Sequence, residues 1–136
     1  MNDKCFFDTN IFIYSYTDLV PDKQKKAQLL IKKNAERIIS TQVLHEFVSA
    51  FRKKMKAEWA EIESSFIQIK NLCVVHINDV GTAEHAIELA KKNSISYYDA
   101  LMVAAALECN CTVLYSEDMR DGQVFEKTLT VVNPFR

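Results

Sequence analysis

Four carboxylates stand where a chain can handle phosphate: Asp8, Glu46, Asp99 and Asp118. Asp8 closes the apolar run Cys5-Phe6-Phe7, and Thr9-Asn10 separate it from a second apolar run, Ile11-Phe12-Ile13-Tyr14. Asp118 closes another such run, Thr112-Val113-Leu114-Tyr115, through Ser116-Glu117. Glu46 and Asp99 lie near the starts of two helical patterns. Held together without compensation, these acids would repel one another and raise one another's pKa. A hard divalent cation removes that repulsion. Mg2+ or Mn2+ prefers carboxylate and water oxygens, and in phosphoryl transfer it activates water and neutralises charge on the phosphate. Plainer readings stand beside this one. Asp, Thr and Asn all cap helices well, so Asp8 can serve as a cap alone. Ser96-x-x-Asp99 approximates a capping box, and an acid suits a helix N-terminus. Glu117 and Asp121 are near enough in sequence to share or replace the role of Asp118.

The elements that must position these acids follow from the apolar pattern. Short apolar runs that end on polar residues read as strands buried on both faces. The runs at 5–7, 37–39, 72–77, 112–115 and 130–132 fit that description. Between them lie helical patterns. Residues 11–16 form a short helix, and 23–36 an amphipathic one with lysines on one side and Ala27, Leu29, Leu30, Ile31 and Ala35 on the other. Residues 42–56 carry the ladder Val43, Phe47, Phe51 and Met55, with Glu46 at the edge of the apolar stripe, and end in the basic run Arg52-Lys53-Lys54-Met55-Lys56. That run reads as a solvated helix end or as a contact for an RNA backbone. A helix over 57–71, one from Thr82 to Asn93, and one over 100–107 that is apolar all round complete the set. Asp121-Gly122 marks a turn. Alternating strands and helices point to a parallel sheet covered on both faces. Right-handed crossovers then bring the strand ends, and with them the acids, to one edge, where open α/β sheets place ligands.

Composition narrows the class. At 136 residues with 49% hydrophobic content and only two Gly and two Pro, the chain fits one domain spanning 1–136 with a sizeable core. A net charge of −1 gives no global attraction to nucleic acid, so any such contact must be local. Cys5, Cys73, Cys109 and Cys111 show no Cys-x-x-Cys spacing and read as free thiols in a reducing cytosol. His45, His76 and His85 fall on different elements and read as surface or structural residues. No run nears the ~18 apolar residues of a bilayer span, and no basic region followed by a long apolar stretch opens the chain, so a soluble, cytoplasmic protein is expected. No Gly-rich loop cradles a nucleotide, which counts against a kinase or P-loop enzyme.

Asp8-Thr9-Asn10 after a strand, Glu46 on a helix, Tyr98-Asp99-Ala100 opening a helix and Ser116-Glu117-Asp118 after a strand form an ordered set that resembles a PIN domain. In particular the set is similar to the VapC-type toxins of type II toxin–antitoxin systems. The resemblance implies a three-layer α/β/α sandwich with a central parallel sheet. It implies Asp8, Glu46, Asp99 and Asp118 as the Mg2+- or Mn2+-binding catalytic acids, with Thr9, Asn10 and Ser116 supporting them. It further implies metal-dependent cleavage of RNA, homodimerisation, and inhibition by a cognate antitoxin. Phe12, Tyr14 and Tyr16 would supply surface for a partner. On this reading one or two ions activate a water for in-line attack on an RNA phosphodiester. Two rivals remain. A phosphatase with Asp8 as covalent nucleophile would want a second acid where Asn10 stands. A non-catalytic RNA- or protein-binding domain would have no need of the acids.

Overall fold

The computed structural model describes residues 4–136. Its centre is one six-stranded sheet of β1 (Cys5–Phe7), β2 (Arg37–Ser40), β3 (Val74–His76), β4 (Val113–Tyr115), β5 (Val124–Phe125) and β6 (Leu129–Val132), in the spatial order β3-β2-β1-β4-β6-β5. All neighbours pair in parallel except β5, which runs antiparallel to β6. β1 sits in the middle, with Cys5 opposite both Arg37 and Val113. All three of its residues are buried, so both faces of the sheet are covered, as the unbroken apolar run requires.

Six helices supply that cover: α1 (Thr9–Ser15), α2 (Pro21–Lys33), α3 (Thr41–Lys53), α4 (Trp59–Leu72), α5 (Val80–Asn93) and α6 (Tyr97–Glu108). They pack in two groups, α1 to α4 and α5 with α6. Phe6, Phe7, Phe12, Phe47 and Phe125 are the largest fully buried side chains. The apolar circumference of α6 is explained by its place: Ala100 and Met102 to Ala106 are all buried.

Several boundaries differ from the sequence reading, each for a local reason. α1 starts two residues early because the Asp8 carboxylate accepts the Thr9 amide. α2 begins at Pro21, whose missing N–H costs nothing at a helix start. It stops at Lys33, where side chains take over its last carbonyls: Asn34 Nδ2 donates to Leu30 O at 2.8 Å and Arg37 Nε to Ile31 O at 2.6 Å. α6 starts at Tyr97 because Ser96 Oγ accepts the Asp99 amide at 3.2 Å. β5 has no counterpart in the sequence reading. It is two residues long and turns back through Glu126 and Lys127, both at positive φ.

None of the four cysteines forms a disulfide. Burial pushes the thiols of Cys73 and Cys111 up to about 12, which leaves them protonated and inert. Phe12 is part of the core at 1% exposed, so the partner surface expected of it is not there. Tyr14 and Tyr16 are half-buried. No helix among the described residues is long and apolar enough to cross a membrane.

Candidate metal and RNA site

Asp8 leaves the end of β1 with extended backbone and both carboxylate oxygens engaged. One accepts the Thr9 amide at 2.6 Å, the other the Ser116 hydroxyl at 2.8 Å. Its own amide donates to Tyr115 O at 3.0 Å, which ties the acid to the neighbouring strand β4. Ser116 is fully buried and its Oγ also accepts the Met119 amide at 3.2 Å, so the hydroxyl is fixed from two sides. Asp8 is 9% exposed. Burial raises its pKa to about 6, the bonds from Ser116 and Thr9 oppose the rise, and the charges of Glu46 and Asp118 add to it.

Glu46 lies one turn into α3, at the edge of the apolar stripe, and is half-buried. Thr9 Oγ1 donates to its Oε1 at 2.7 Å, and Gln42 Nε2 to its Oε2 at 3.1 Å. The same Gln42 nitrogen donates to Tyr98 O at 3.1 Å, which draws the first turn of α6 against α3. Asp118 follows β4, is exposed, and accepts from Asn10 Nδ2 at 2.9 Å. Each of Thr9, Asn10 and Ser116 therefore contacts a candidate acid. Asp8, Glu46 and Asp118 line one cavity of about 320 Å³, together with Thr9, Asn10, Ser49, Ala50, Lys53 and Lys54.

Asp99 is placed differently. It sits in the first turn of α6, half-buried, and is not among the residues lining that cavity. Ser96 caps its helix by accepting the Asp99 amide, which is the first half of a capping box, and Asp99 is the acid of the first turn, so the capping reading of this acid keeps its support. A second hollow of about 310 Å³ is lined by Gln42, Glu46, Tyr98 and Leu101, which puts Glu46 between the cavity and the start of α6.

The other two candidates for the fourth acid are engaged elsewhere. Glu117 accepts from the Tyr14 hydroxyl at 2.6 Å and pairs with Lys23, whose ammonium also lies 4.9 Å from the Tyr14 ring centroid. Burial raises the pKa of Glu117, but the bonds from Lys23 and Tyr14 outweigh it and hold the acid below its ordinary value. Asp121 accepts the Asn133 amide at 2.8 Å and faces Arg136 at 3.6 Å, fixing the turn that follows β4. Glu117→Gln is therefore expected to keep RNA cleavage within a few-fold of wild type, while Asp118→Asn lowers it at least tenfold. A nuclease assay of the two variants decides the point, and the reverse order would move the fourth acid to Glu117. The histidines stay apart from the cavity: His76 pairs with Glu108 at 3.3 Å and His85 with Glu126 at 2.8 Å.

Among the described residues no three His, Cys, Asp or Glu side chains form a group that could hold an ion unaided. The donor set nevertheless fits Mg2+ or Mn2+ in kind. It is all oxygen, and Mg2+ typically keeps several waters and takes only one or two carboxylates, with substrate phosphate completing the shell. The upward shift of Asp8, to which two neighbouring acids contribute, is the imbalance that a cation would remove. Gln42 escaped the sequence reading. Its spacing of four residues from Glu46 was the available signal, since such pairs share a helix face.

The PIN domain family model matches residues 5–127, and the chain belongs to the PIN domain family. Its fold is shared by several solved structures. The FitAB structure bound to the IR36 DNA fragment aligns with a TM-score of 0.73 at 17% identity, covering 97% of this chain and 96% of that one. VapC20 of Mycobacterium tuberculosis, a sarcin-ricin loop cleaving toxin, aligns at 0.71 with 18% identity over 85% and 90%. A toxin–antitoxin complex from Klebsiella pneumoniae aligns at 0.70 with 19% identity over 96% and 98%. At these identities the likeness is one of fold. No curated protein matches the chain by sequence.

Proposed function

We propose that this chain is a Mg2+- or Mn2+-dependent endoribonuclease, acting as one PIN domain and as the toxin of a toxin–antitoxin pair. The observation that carries this reading is the single cavity in which Asp8, Glu46 and Asp118 meet Lys53 and Lys54. Acids for a cation and lysines for a phosphate are the two halves of a phosphodiester site. When bound, the cation supplies an activated water and neutralises charge on the phosphate. The protein's own part is positional. Ser116 and the Thr9 amide fix the Asp8 oxygens, the Thr9 hydroxyl and Gln42 fix Glu46, and Asn10 fixes Asp118. Asp99 joins this set by the family resemblance and through the tie between Gln42 and Tyr98. The fold neighbours that are toxin–antitoxin complexes support an antitoxin partner. A seat for it is the mainly apolar hollow of about 310 Å³ between α1, α2 and α4, where Tyr16, Ile31 and Leu72 offer surface. An amphipathic helix lays its apolar face into such a groove. Homodimerisation and a cytoplasmic site of action complete the proposal.

The test is direct. Purified protein cleaves RNA in Mn2+, loses cleavage in EDTA, and regains it when Mn2+ is restored in excess. Robust cleavage in EDTA by pure protein would refute the metal-dependent reading.

A further inference from the structure

The second hollow that Glu46 lines holds two buried oxygens with nothing to accept. It has a volume of about 310 Å³ and lies where the starts of α3 and α6 meet the segment between β3 and α5. Gln42, 8% exposed, lines it. The Gln42 side-chain nitrogen donates to Glu46 Oε2 and to Tyr98 O, both at 3.1 Å. A carboxylate and a carbonyl can only accept, so the way round of this amide is fixed. Gln42 Oε1 is left buried, with no donor among the described residues. Asn78 lines the hollow as well. Its backbone amide is tied to Thr41 Oγ1 at 3.3 Å, while its side-chain Oδ1 is likewise buried and without a donor.

A buried acceptor left without a donor is costly, and each one in a folded protein has a cause. The chemistry of the hollow narrows that cause to a neutral donor. No lysine or arginine lines it among the described residues, and Glu46 there repels phosphate. Two acceptors beside a ring suit a nucleobase that presents an amine. Tyr98, 66% exposed, offers a face for stacking, and an asparagine amide pairs with a base edge that sets a donor beside an acceptor. The acidic cavity next door, with Lys53 and Lys54, takes the phosphate. Both oxygens are buried, so a base reaches them by displacing a lining side chain. His45 and Tyr98, both exposed, are the ones placed to move.

We propose that this hollow is a base-reading pocket. With a phosphate at the acidic cavity, a neighbouring base enters the hollow, donates its exocyclic amine to Asn78 Oδ1 and Gln42 Oε1, and stacks on Tyr98. This rests on the ribonuclease reading of the cavity and adds which bases are preferred beside the cut. Adenine, cytosine and guanine carry such an amine and uracil does not. Uracil would turn its carbonyl oxygens toward two more oxygens.

Chemically matched pairs isolate the amine. Uridine decamers carry one central test nucleoside: adenosine against purine riboside, guanosine against inosine, or cytidine against pyrimidin-2-one riboside. Within each pair the bases differ by the exocyclic amine. Cleavage by the full chain in Mn2+ is expected to have a kcat/KM about tenfold higher for the amine-bearing member of at least one pair. Asn78→Ala lowers that ratio to about one. Equal rates within all three pairs would leave the two oxygens to solvent, removing the pocket and leaving the nuclease. A full ratio retained in a folded Asn78→Ala protein would also overturn the pocket. If no decamer is cleaved, fluorescence anisotropy of the same pairs, labelled and in EDTA, reads the site without chemistry. A binding preference of about tenfold for the amine then keeps the pocket and removes the nuclease, while no preference removes both.

Discussion

Asp8→Asn is expected to abolish RNA cleavage and at the same time raise the melting temperature of the metal-free protein. The carboxyl is 9% exposed and its pKa is raised from 3.8 to about 6, first by burial and further by Glu46 and Asp118. A raised carboxyl favours the folded state when protonated. Its stabilising contribution is fully present below pH 3.8 and is lost as pH rises through about 6. Near neutral pH the fold therefore carries a buried charge at a cost of about 2 to 3 kcal/mol, since one pKa unit corresponds to ~1.4 kcal/mol. Asn removes the charge, and its amide oxygen can still accept one of the two bonds that hold Asp8. Thermal melts in EDTA between pH 4 and pH 7 should show wild type losing stability as pH rises where the variant stays flatter. Added Mn2+ should stabilise wild type by binding only its folded state and should leave the variant nearly unmoved. An unchanged metal-free melting temperature with the full Mn2+ shift retained would reduce Asp8 to a helix cap.

A second pair of substitutions separates capping from chemistry at the start of α6. Ser96 accepts the Asp99 amide, so Ser96→Ala should cost about 0.5–2 kcal/mol of stability. Its effect on cleavage at saturating Mn2+ should stay within a few-fold. Asp99→Asn should do the reverse. It leaves the Ser96 cap in place and keeps the shape of the side chain, so stability should change by less than ~0.5 kcal/mol. Cleavage should nevertheless fall by about two orders of magnitude or more, through loss of a carboxylate that acts on the cation. Melts and single-turnover rates on both variants suffice. Near-wild-type cleavage by Asp99→Asn would remove this acid from the site and leave three.

The sequence made the sheet legible because its strands are unusually plain. Cys5-Phe6-Phe7 and Val113-Leu114-Tyr115 are apolar runs cut off by polar residues, and both are adjacent strands of the observed sheet. The candidate acids were visible because each stands at such a cut or near a helix start. What the sequence did not carry was side-chain partnership across long separations. Nothing in the spelling Ser116-Glu117-Asp118 tells that its three members point to three different places. Ser116 turns to Asp8, Glu117 to Lys23 and Asp118 to Asn10, because β4 ends there and the chain is no longer bound to a two-residue alternation. β5 was missed because two residues carry no period, and its pairing depends on the turn at Glu126 and Lys127. Phe12 read as partner surface because helix 11–16 was too short to show which side faces inward. Burial of the residue at 1% exposed settles that side.

The bonds that fix Asp8 come from far along the chain: Tyr115 takes its amide, and Ser116, 108 residues away, holds its carboxylate. Chains are made from the N-terminus and a domain folds as a unit, and contacts between distant segments form late because the intervening loop must close. A growing polypeptide that has not yet reached β4 has β1 without one of its two neighbours and Asp8 without its hydroxyl. It also lacks Asp118 altogether. Of the proposed nuclease, a nascent chain thus displays separated fragments of the machinery. On that proposal, a chain still in translation holds no assembled cutting centre until β4 has emerged.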